Sequence, residues 1–372
     1  MTKARDLADF LGNNTSLNTI NNAYAAGTLI PTVTTINPNM VINGAMEINQ
    51  RGDATGITTG TRTLDRHVLQ YDAMGTASVT QDTDVPSGQG FSKSMKIQCT
   101  ATAELNTGSS SMIFIHRLEG FDSVQTMYGT SDAKDVTLSF WIKANRTQTL
   151  TVNFENEQTS GGNPDQGYQT SQAYTTANTW QKMVITIAGD TRSGMGFNFN
   201  SSKALCFDIS LSTGYTSSDT PSATWSQLAN GQRHGHNTEY FADSTSNYFN
   251  ITGIKLELGS EATDFQHVPY GEELAKCQRY YEERPVEMEY TNDTNATNIY
   301  RTFTIPVEKR ATPSIAVVNQ LRYWLGGSPS NLNLGSNVGL VATNQKWELA
   351  AYSLTGARGL FSGGIISLDA EI

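Results

Sequence analysis

Regular alternation of apolar and polar residues recurs along this chain and predicts a protein built from β-strands. The segment VTLSFWIKA places Val136, Leu138, Phe140 and Ile142 on one face, with other side chains between them. A period of two is the side-chain period of a strand. The same period recurs, between clusters of turn-forming residues, at residues 94–99, 150–154, 205–211 and 254–258. Many half-buried strands require two facing sheets, so we predict an all-β chain whose residues 38–270 form a jelly-roll-type β-sandwich.

The composition restricts the partners of this chain. Only 16% of the 372 residues are charged and 32 are glycine, a profile that suits polar loops on a β scaffold. A net charge of −10 argues against nucleic acid and anionic lipid as partners. We expect no membrane insertion, because no run approaches the roughly 18 apolar residues of a spanning helix.

The three cysteines, Cys99, Cys206 and Cys277, are odd in number and far apart. Two lie in strand patterns and one lies in a helical pattern. We therefore predict reduced, small core residues rather than a disulfide framework or a metal site.

The strongest helical pattern is GEELAKCQRYYEERP, residues 271–285, which Pro285 is expected to end. It predicts a linking helix between the sandwich and the C-terminal segment. Tyr280 and Tyr281 are neighbours, and neighbours on a helix point about 100° apart. The helix is therefore expected to pack on its own sandwich and on a neighbouring chain or the next domain. The alternative is a helix that only covers the end of the sandwich and leaves one tyrosine exposed.

The two ends of the chain differ from the sandwich. Residues 286–372 return to strand patterns and are rich in Gly and Asn, which predicts a small C-terminal β domain. Residues 1–37 are rich in Asn and Thr and contain few large apolar residues, so we expect an extended arm that cannot fold alone. Its one amphipathic turn, with Leu7, Phe10 and Leu11, is the expected docking element for another protein.

Three motifs carry a resemblance to a known family. They are NGAMEINQRG from residue 43, LDRH from residue 64, and CQRYYE from residue 277. In this order and spacing they resemble the tail-fibre and receptor-binding proteins of tailed bacteriophages, and the resemblance covers residues 38–285. The SFWIKA run is less specific, because carbohydrate-binding sandwich modules of cellulases and related enzymes share it.

This resemblance implies a protein of the phage particle surface, made in the bacterial cytoplasm and located on the tail. It implies a homotrimer that binds a host-surface glycan and is attached to another virion protein through its N-terminal arm. A head fibre or capsid decoration protein is the main alternative. We expect no enzymatic activity and no cofactor, because the sequence contains no repeat solenoid and no recognisable catalytic motif. A glycan-degrading tailspike is the remaining enzymatic alternative.

Glycan contacts are sought among aromatic side chains beside amides and charged groups. Arg322, Tyr323 and Trp324 run into a Gly/Ser/Asn loop and are the sequence's candidates, with Trp324 as a core residue the alternative. Besides Tyr280 and Tyr281, the candidate for an oligomer interface is Trp141, which shares the polar face of its strand.

Two weaker patterns allow a metal site. His234 and His236 are two residues apart, so a threefold axis would bring six imidazoles together. Glu47 corresponds to a calcium ligand of some carbohydrate-binding sandwiches, but Lys255 stands where their partner acid would be expected. A chance His-x-His pair in a loop and a solvent-facing glutamate are the simpler interpretations.

Overall fold

The computed structural model describes residues 38–62, 64–106, 108–158, 166–214, 221, 223–227, 239–291, 299–319, 322–325, 328–331, 338–351 and 358–371. Within these ranges, residues from Asn39 onward form one compact unit. The arm with Leu7, Phe10 and Leu11 lies outside the described residues. Among the described helices, none has the length and apolar character needed to cross a lipid bilayer.

Within the described ranges, thirteen strands precede the main helix. In chain order they are β1 (Ala54–Ile57), β2 (Thr61–Arg62), β3 (His67–Asp72), β4 (Thr76–Asp82), β5 (Ser94–Ala101), β6 (Ser111–Glu119), β7 (Val136–Ala144), β8 (Gln148–Asn156), β9 (Gln166–Tyr174), β10 (Gln181–Ile187), β11 (Lys203–Thr213), β12 (Ser226–Gln227) and β13 (Tyr248–Leu258). A one-turn helix, α1 (Gly120–Ser123), and short 3-10 turns at Val124–Thr126 and Phe241–Asp243 interrupt them.

These strands form two antiparallel sheets, which confirms the predicted all-β sandwich. One sheet has six strands in the order β1-β4-β5-β13-β7-β10, and the other has seven in the order β12-β9-β8-β11-β6-β3-β2. Their inner faces enclose one apolar core, in which Phe114, Phe140, Phe154 and Phe207 are fully buried. The alternating residues of β7 that the sequence assigned to one face, Val136 to Ile142, all lie in this core.

The chain then forms helix α2 and a second set of strands. These are α2 (Tyr270–Gln278), β14 (Tyr281–Thr291), β15 (Ile299–Thr304), β16 (Ser314–Asn319), β17 (Arg322–Leu325), β18 (Ser328–Asn331), β19 (Val338–Ala342), β20 (Lys346–Ala351) and β21 (Arg358–Asp369). One sheet follows the order β14-β21-β17-β18 with β16 also paired to β21, and a second has the order β15-β20-β19. They share a smaller core that includes Val286, Trp347 and Ile366.

The predicted extent of the helix is wrong at its C-terminal end. Helix α2 ends at Gln278, and Tyr281 already belongs to β14, opposite Asp369 of β21. Pro285 therefore does not end a helix but lies within a strand. Because β14 is the edge strand of its sheet, a residue without an amide hydrogen is tolerated there.

The motif at residues 43–52 contains turns and no regular strand. Asn43 adopts a left-handed conformation, with φ of 61°. Its buried amide donates to the carbonyls of Ile48 and Asp65, at 2.9 and 3.0 Å, and its Oδ1 accepts the amide of Ile48 at 3.0 Å. These side-chain hydrogen bonds occupy backbone groups that would otherwise bond to a neighbouring strand, so a strand does not form here.

The motifs of the resemblance meet where the sandwich contacts the last strand. Arg66 forms a buried ion pair with Glu371 and donates to the carbonyl of Arg117 at 2.6 Å. Its guanidinium lies over the ring of Tyr280, and that of Arg51 lies over the ring of Tyr281, each 3.5 Å from the ring centroid. The three motifs therefore build an internal junction of the chain.

This junction corrects the assignment of Tyr280 and Tyr281 to an interface between chains. Their exposed fractions are 1% and 5% within the single chain, so neither has area left for a neighbour. The argument that they point apart on a helix fails because Tyr281 is on a strand. Both rings pack on arginines of the same chain. Cys99, Cys206 and Cys277 are all buried and unbridged, as predicted.

Candidate functional site

Trp141 lies on the outer face of the six-stranded sheet, where β7 and β10 run side by side. Trp141 is flanked in sequence by the core residues Phe140 and Ile142, so its own side chain points away from the core. It remains partly exposed. Its cross-strand neighbours are Lys182 on β10 and Thr252 on β13. This indole therefore lies in the middle of three strands.

A bulge in β13 makes room for the Trp141 ring. The pairing of β13 with β7 shifts between Thr252 and Lys255, and Gly253 between them has φ of 64°. A Cβ atom at this glycine would lie 2.5 Å from Cζ of Phe91 and 3.0 Å from Cδ1 of Trp141. Glycine is therefore required both by the backbone conformation and by the two rings that pack against it.

A second indole, that of Trp180, is held by a carboxylate that it shares with Lys143. Trp180, directly before β10, donates from Nε1 to Oδ1 of Asp84 at 2.9 Å. Lys143, on β7, donates from Nζ to Oδ2 of Asp84 at 2.6 Å. This hydrogen bond raises the pKa of Lys143. The carboxylate comes from the segment between β4 and β5 and keeps 41% of its side chain exposed. We call Asp84, Trp141, Lys143, Trp180 and Lys182 the Trp141 surface.

Further polar and aromatic groups continue the Trp141 surface toward β5. Tyr248 lies at the start of β13, with Nζ of Lys96 5.5 Å from its ring centroid, and its hydroxyl donates to Asn178 at 2.9 Å. Asn250 donates to Asp82 at 3.3 Å. Rings, an amide and carboxylates thus alternate across three neighbouring strands.

The other half of the same sheet face is covered by residues 259–264. The hydroxyl of Thr137 donates to the carbonyl of Gly259 at 2.7 Å. Glu257 accepts the amide and hydroxyl of Thr263 at 2.8 and 2.6 Å, and pairs with the equally buried Lys255 at 3.0 Å. This buried ion pair anchors the covering segment over β7 and β13.

The Trp141 surface places two indoles beside a carboxylate and two ammonium groups. Indole faces can stack on the C–H faces of a pyranose, and fixed polar groups can bind its hydroxyls. A glycosidase also needs a carboxylic acid that is protonated at working pH. Here burial would raise the pKa of Asp82, but hydrogen bonds from Asp84, Asn250 and Thr83, with Lys96 nearby, lower it. Asp84 is held in an ion pair.

The outer face of the seven-stranded sheet also carries polar residues, and those at its centre are buried. Asn153 of β8 donates to Oδ1 of Asp208 on β11 at 2.5 Å. The exposed fractions of these two residues are 0% and 6%, and that of Gln169 on β9 is 4%. We therefore locate the candidate site on the six-stranded sheet.

The sequence-based glycan candidates, Arg322, Tyr323 and Trp324, form most of strand β17 between β18 and β21. Their side chains lie outside the described part of the structure, so their role stays a prediction. His234 and His236 also lie outside it. Glu47 is half-buried, and within the described ranges no group of three or more His, Cys, Asp or Glu side chains could hold a metal ion.

Sequence reasoning missed the partnership of Trp180 with Asp84, residues 96 positions apart. It assigned Trp141 to a possible oligomer interface and gave no functional role to Trp180. The sequence did indicate that Trp141 faces away from the core, because it occupies a position on the polar face of an alternating strand. Nothing local indicated that the segment after β4 would bring Asp84 across β7.

No family model matches this chain, and a search of curated proteins finds no match. Solved structures with similar folds include a tailspike protein 4 enzymatically active domain of bacteriophage CBA120, at 14% identity and a TM-score of 0.30. That match covers 59% of this chain and only 21% of the tailspike chain.

Two carbohydrate-binding modules are also similar. The CBM22-1 xylan-binding domain of Paenibacillus barcinonensis Xyn10C matches at 11% identity and a TM-score of 0.30, covering 61% of this chain and 97% of the module. TmCBM61, solved with β-1,4-galactotriose, matches at 9% identity and a TM-score of 0.28, covering 60% of this chain and 99% of the module. Likenesses this distant do not indicate what this chain binds.

Proposed function

We propose that this chain is a non-enzymatic glycan-binding protein of a bacteriophage particle, and that the Trp141 surface holds the sugar. The observation that carries the proposal is the pairing of Trp180 and Lys143 on one carboxylate, Asp84, beside the partly exposed ring of Trp141. Two rings fixed in position and a half-exposed acceptor make a recognition surface that needs little ordering on binding.

Each group has a distinct part in this recognition. Trp141 supplies an indole packed against Gly253, whose orientation is set before the ligand arrives. Trp180 supplies a second indole, oriented by its hydrogen bond to Asp84. The carboxylate of Asp84 has lone pairs beyond those used by its two donors and can accept a sugar hydroxyl.

The resemblance of the three motifs to tail-fibre and receptor-binding proteins supports the proposed place on the particle. A tail fibre is the first assignment, and a head fibre or capsid decoration protein is the second. A homotrimer would present three copies of the Trp141 surface, and their combined avidity would compensate for weak single contacts. Electron cryomicroscopy of the intact particle distinguishes tail from head and counts the copies.

Calorimetric titration with polysaccharide fragments from the host surface tests the site. Trp141→Ala and Trp180→Ala are each expected to weaken binding at least tenfold, about 1.4 kcal/mol. Phe199→Ala is the matched control, because Phe199 is an aromatic residue with 75% exposure that lies outside the Trp141 surface. Binding that survives both tryptophan substitutions, or that Phe199→Ala removes equally, would overturn the assignment.

A further inference from the structure

The charges on the outer face of the six-stranded sheet are nearly all paired. Four lysines project from its strands in the described part of the chain, and three of them have an acidic partner. The pairs are Lys96 with Asp82 at 3.9 Å, Lys143 with Asp84 at 2.6 Å, and Lys255 with Glu257 at 3.0 Å. The face is therefore locally neutral except at the fourth lysine.

The fourth lysine is Lys182, directly opposite Trp141 across the β7–β10 ladder. Its side chain is exposed, and none of the ion pairs among the described residues includes it. Directly opposite residues of an antiparallel pair have Cβ atoms about 5 Å apart. An ammonium group at the end of a flexible stem can therefore reach a substituent of a sugar ring stacked on Trp141.

We infer that the ligand of the Trp141 surface is an acidic glycan, whose sugar carboxylate is bound by Lys182 while its ring stacks on Trp141. This inference rests on the proposed function of the same surface and adds the chemical class of the ligand. A sugar carboxylate gives Lys182 the counter-charge that the protein supplies to the other three lysines. A charge-assisted hydrogen bond of this kind is stronger than one to a neutral hydroxyl.

The rest of the protein does not attract acidic polymers, since the net charge of the chain is −10. Long-range attraction therefore cannot produce selectivity for an acidic glycan. At physiological salt, charges more than about 8 Å apart are largely screened from each other. A contact within the site can therefore determine whether an acidic glycan is preferred. Selectivity is expected to depend on Lys182 and not on the total charge.

The test is a glycan array of microbial acidic polysaccharides, each printed in its native form and in a carboxyl-reduced form. The wild-type protein is expected to bind a native form at least tenfold more tightly than its reduced counterpart. Lys182→Gln should remove this preference, and Lys182→Arg should keep most of it. Lys346→Gln is the matched control, because Lys346 is a 53% exposed lysine of the C-terminal strands.

The outcomes separate this inference from the proposed function. Equal binding of native and reduced forms, or binding of neutral glycans only, overturns the inference that the ligand is acidic. If Trp141→Ala removes that binding, the proposed function of the Trp141 surface still stands. A preference that Lys182→Gln leaves unchanged also overturns the inference. No binding to any glycan, or binding that Trp141→Ala does not alter, overturns both.

Discussion

The guanidinium carbon of Arg66 lies 3.5 Å from the centroid of the Tyr280 ring, and both side chains are buried. Arg66 belongs to the LDRH motif and Tyr280 to the CQRYYE motif, 214 positions later. Their contact joins the sandwich to the start of β14, and the ion pair between Arg66 and Glu371 joins it to the residues after β21. The motifs that suggest a family thus describe how the chain is held together, not what it binds.

Replacing Tyr280 with Ser is expected to destabilise the single chain. It removes a large buried ring and the partner of Arg66, so we expect a loss of about 3–5 kcal/mol in the free energy of unfolding. Urea denaturation measures this loss. Tyr300→Ser is the control, since Tyr300 is 64% exposed. Release of monomers in sedimentation velocity without any loss of chain stability would restore the interface interpretation.

The buried pair His67 and His116 is expected to make the fold sensitive to mild acid. Their Nδ1 atoms are 3.2 Å apart, and Nε2 of His67 lies 3.1 Å from the carbonyl oxygen of Asn43. Burial lowers the pKa of His67 from 6.5 to about 4 and that of His116 well below 6.5. The unfolded chain therefore takes up these protons first. Stability is complete above pH 6.5 and falls between pH 6.5 and 4.

For His67 alone, this difference amounts to about 2 kcal/mol between pH 7 and pH 5. His67→Gln keeps a donor but cannot titrate, so the variant should lose about that much less stability on acidification. Denaturation curves of both proteins at pH 7 and pH 5 measure the difference. The raised pKa values of Asp65 and Glu273 make the folded state more stable on acidification, which opposes the effect of the histidines. Both proteins contain these two residues, so their contribution cancels when the variant is compared with wild type. Identical losses in the two proteins would contradict this account.

Purified protein is expected to leave host capsule and lipopolysaccharide intact. The reason is that the sequence contains no repeat solenoid and no recognisable catalytic motif, and that hydrogen bonds lower the pKa of Asp82 next to the Trp141 surface. A reducing-end assay over a day at several pH values checks this, with a known depolymerase as positive control. Steady release of reducing ends would show that the chain is an enzyme.

Removing residues 1–37 is expected to leave a soluble protein that no longer joins the phage particle. Residues Asn39–Ile372 form one compact unit by themselves, so their fold should persist. A second variant, with Leu7, Phe10 and Leu11 all replaced by Ser, tests the predicted docking turn in the full chain. Normal copy number of either variant on particles would contradict its anchoring role.

The strand pattern predicted the fold because each strand buries one face in the core, and that requirement is local. The pattern at residues 271–285 predicted the helix but not its end, because Tyr281 joins β14 through pairing with Asp369, 88 positions away. The turn at Asn43 was missed for a similar reason. It depends on side-chain bonds that a strand pattern does not report.

The candidate site could be predicted only in part. Trp141 at a polar place in β7 was visible in the sequence, whereas its neighbours come from β10, the bulge at Gly253 and the segment that carries Asp84. The order of strands in the sheet brings these residues together, and that order cannot be predicted from the pattern of any single segment. The sequence does not distinguish Lys182 from Lys96, Lys143 and Lys255, because the acidic partners of those three lysines are known only from the structure.

The indole N–H signals in a proton–nitrogen NMR titration test the central claim most directly. The chain has five tryptophans, and single Phe variants assign their signals as Trp141, Trp180, Trp225, Trp324 and Trp347. On adding host-surface oligosaccharide, the account predicts that the signals of Trp141 and Trp180 shift and that those of Trp225 and Trp347 do not. Shifts confined to Trp324, or no shift at Trp141 and Trp180 at saturating oligosaccharide, would contradict it.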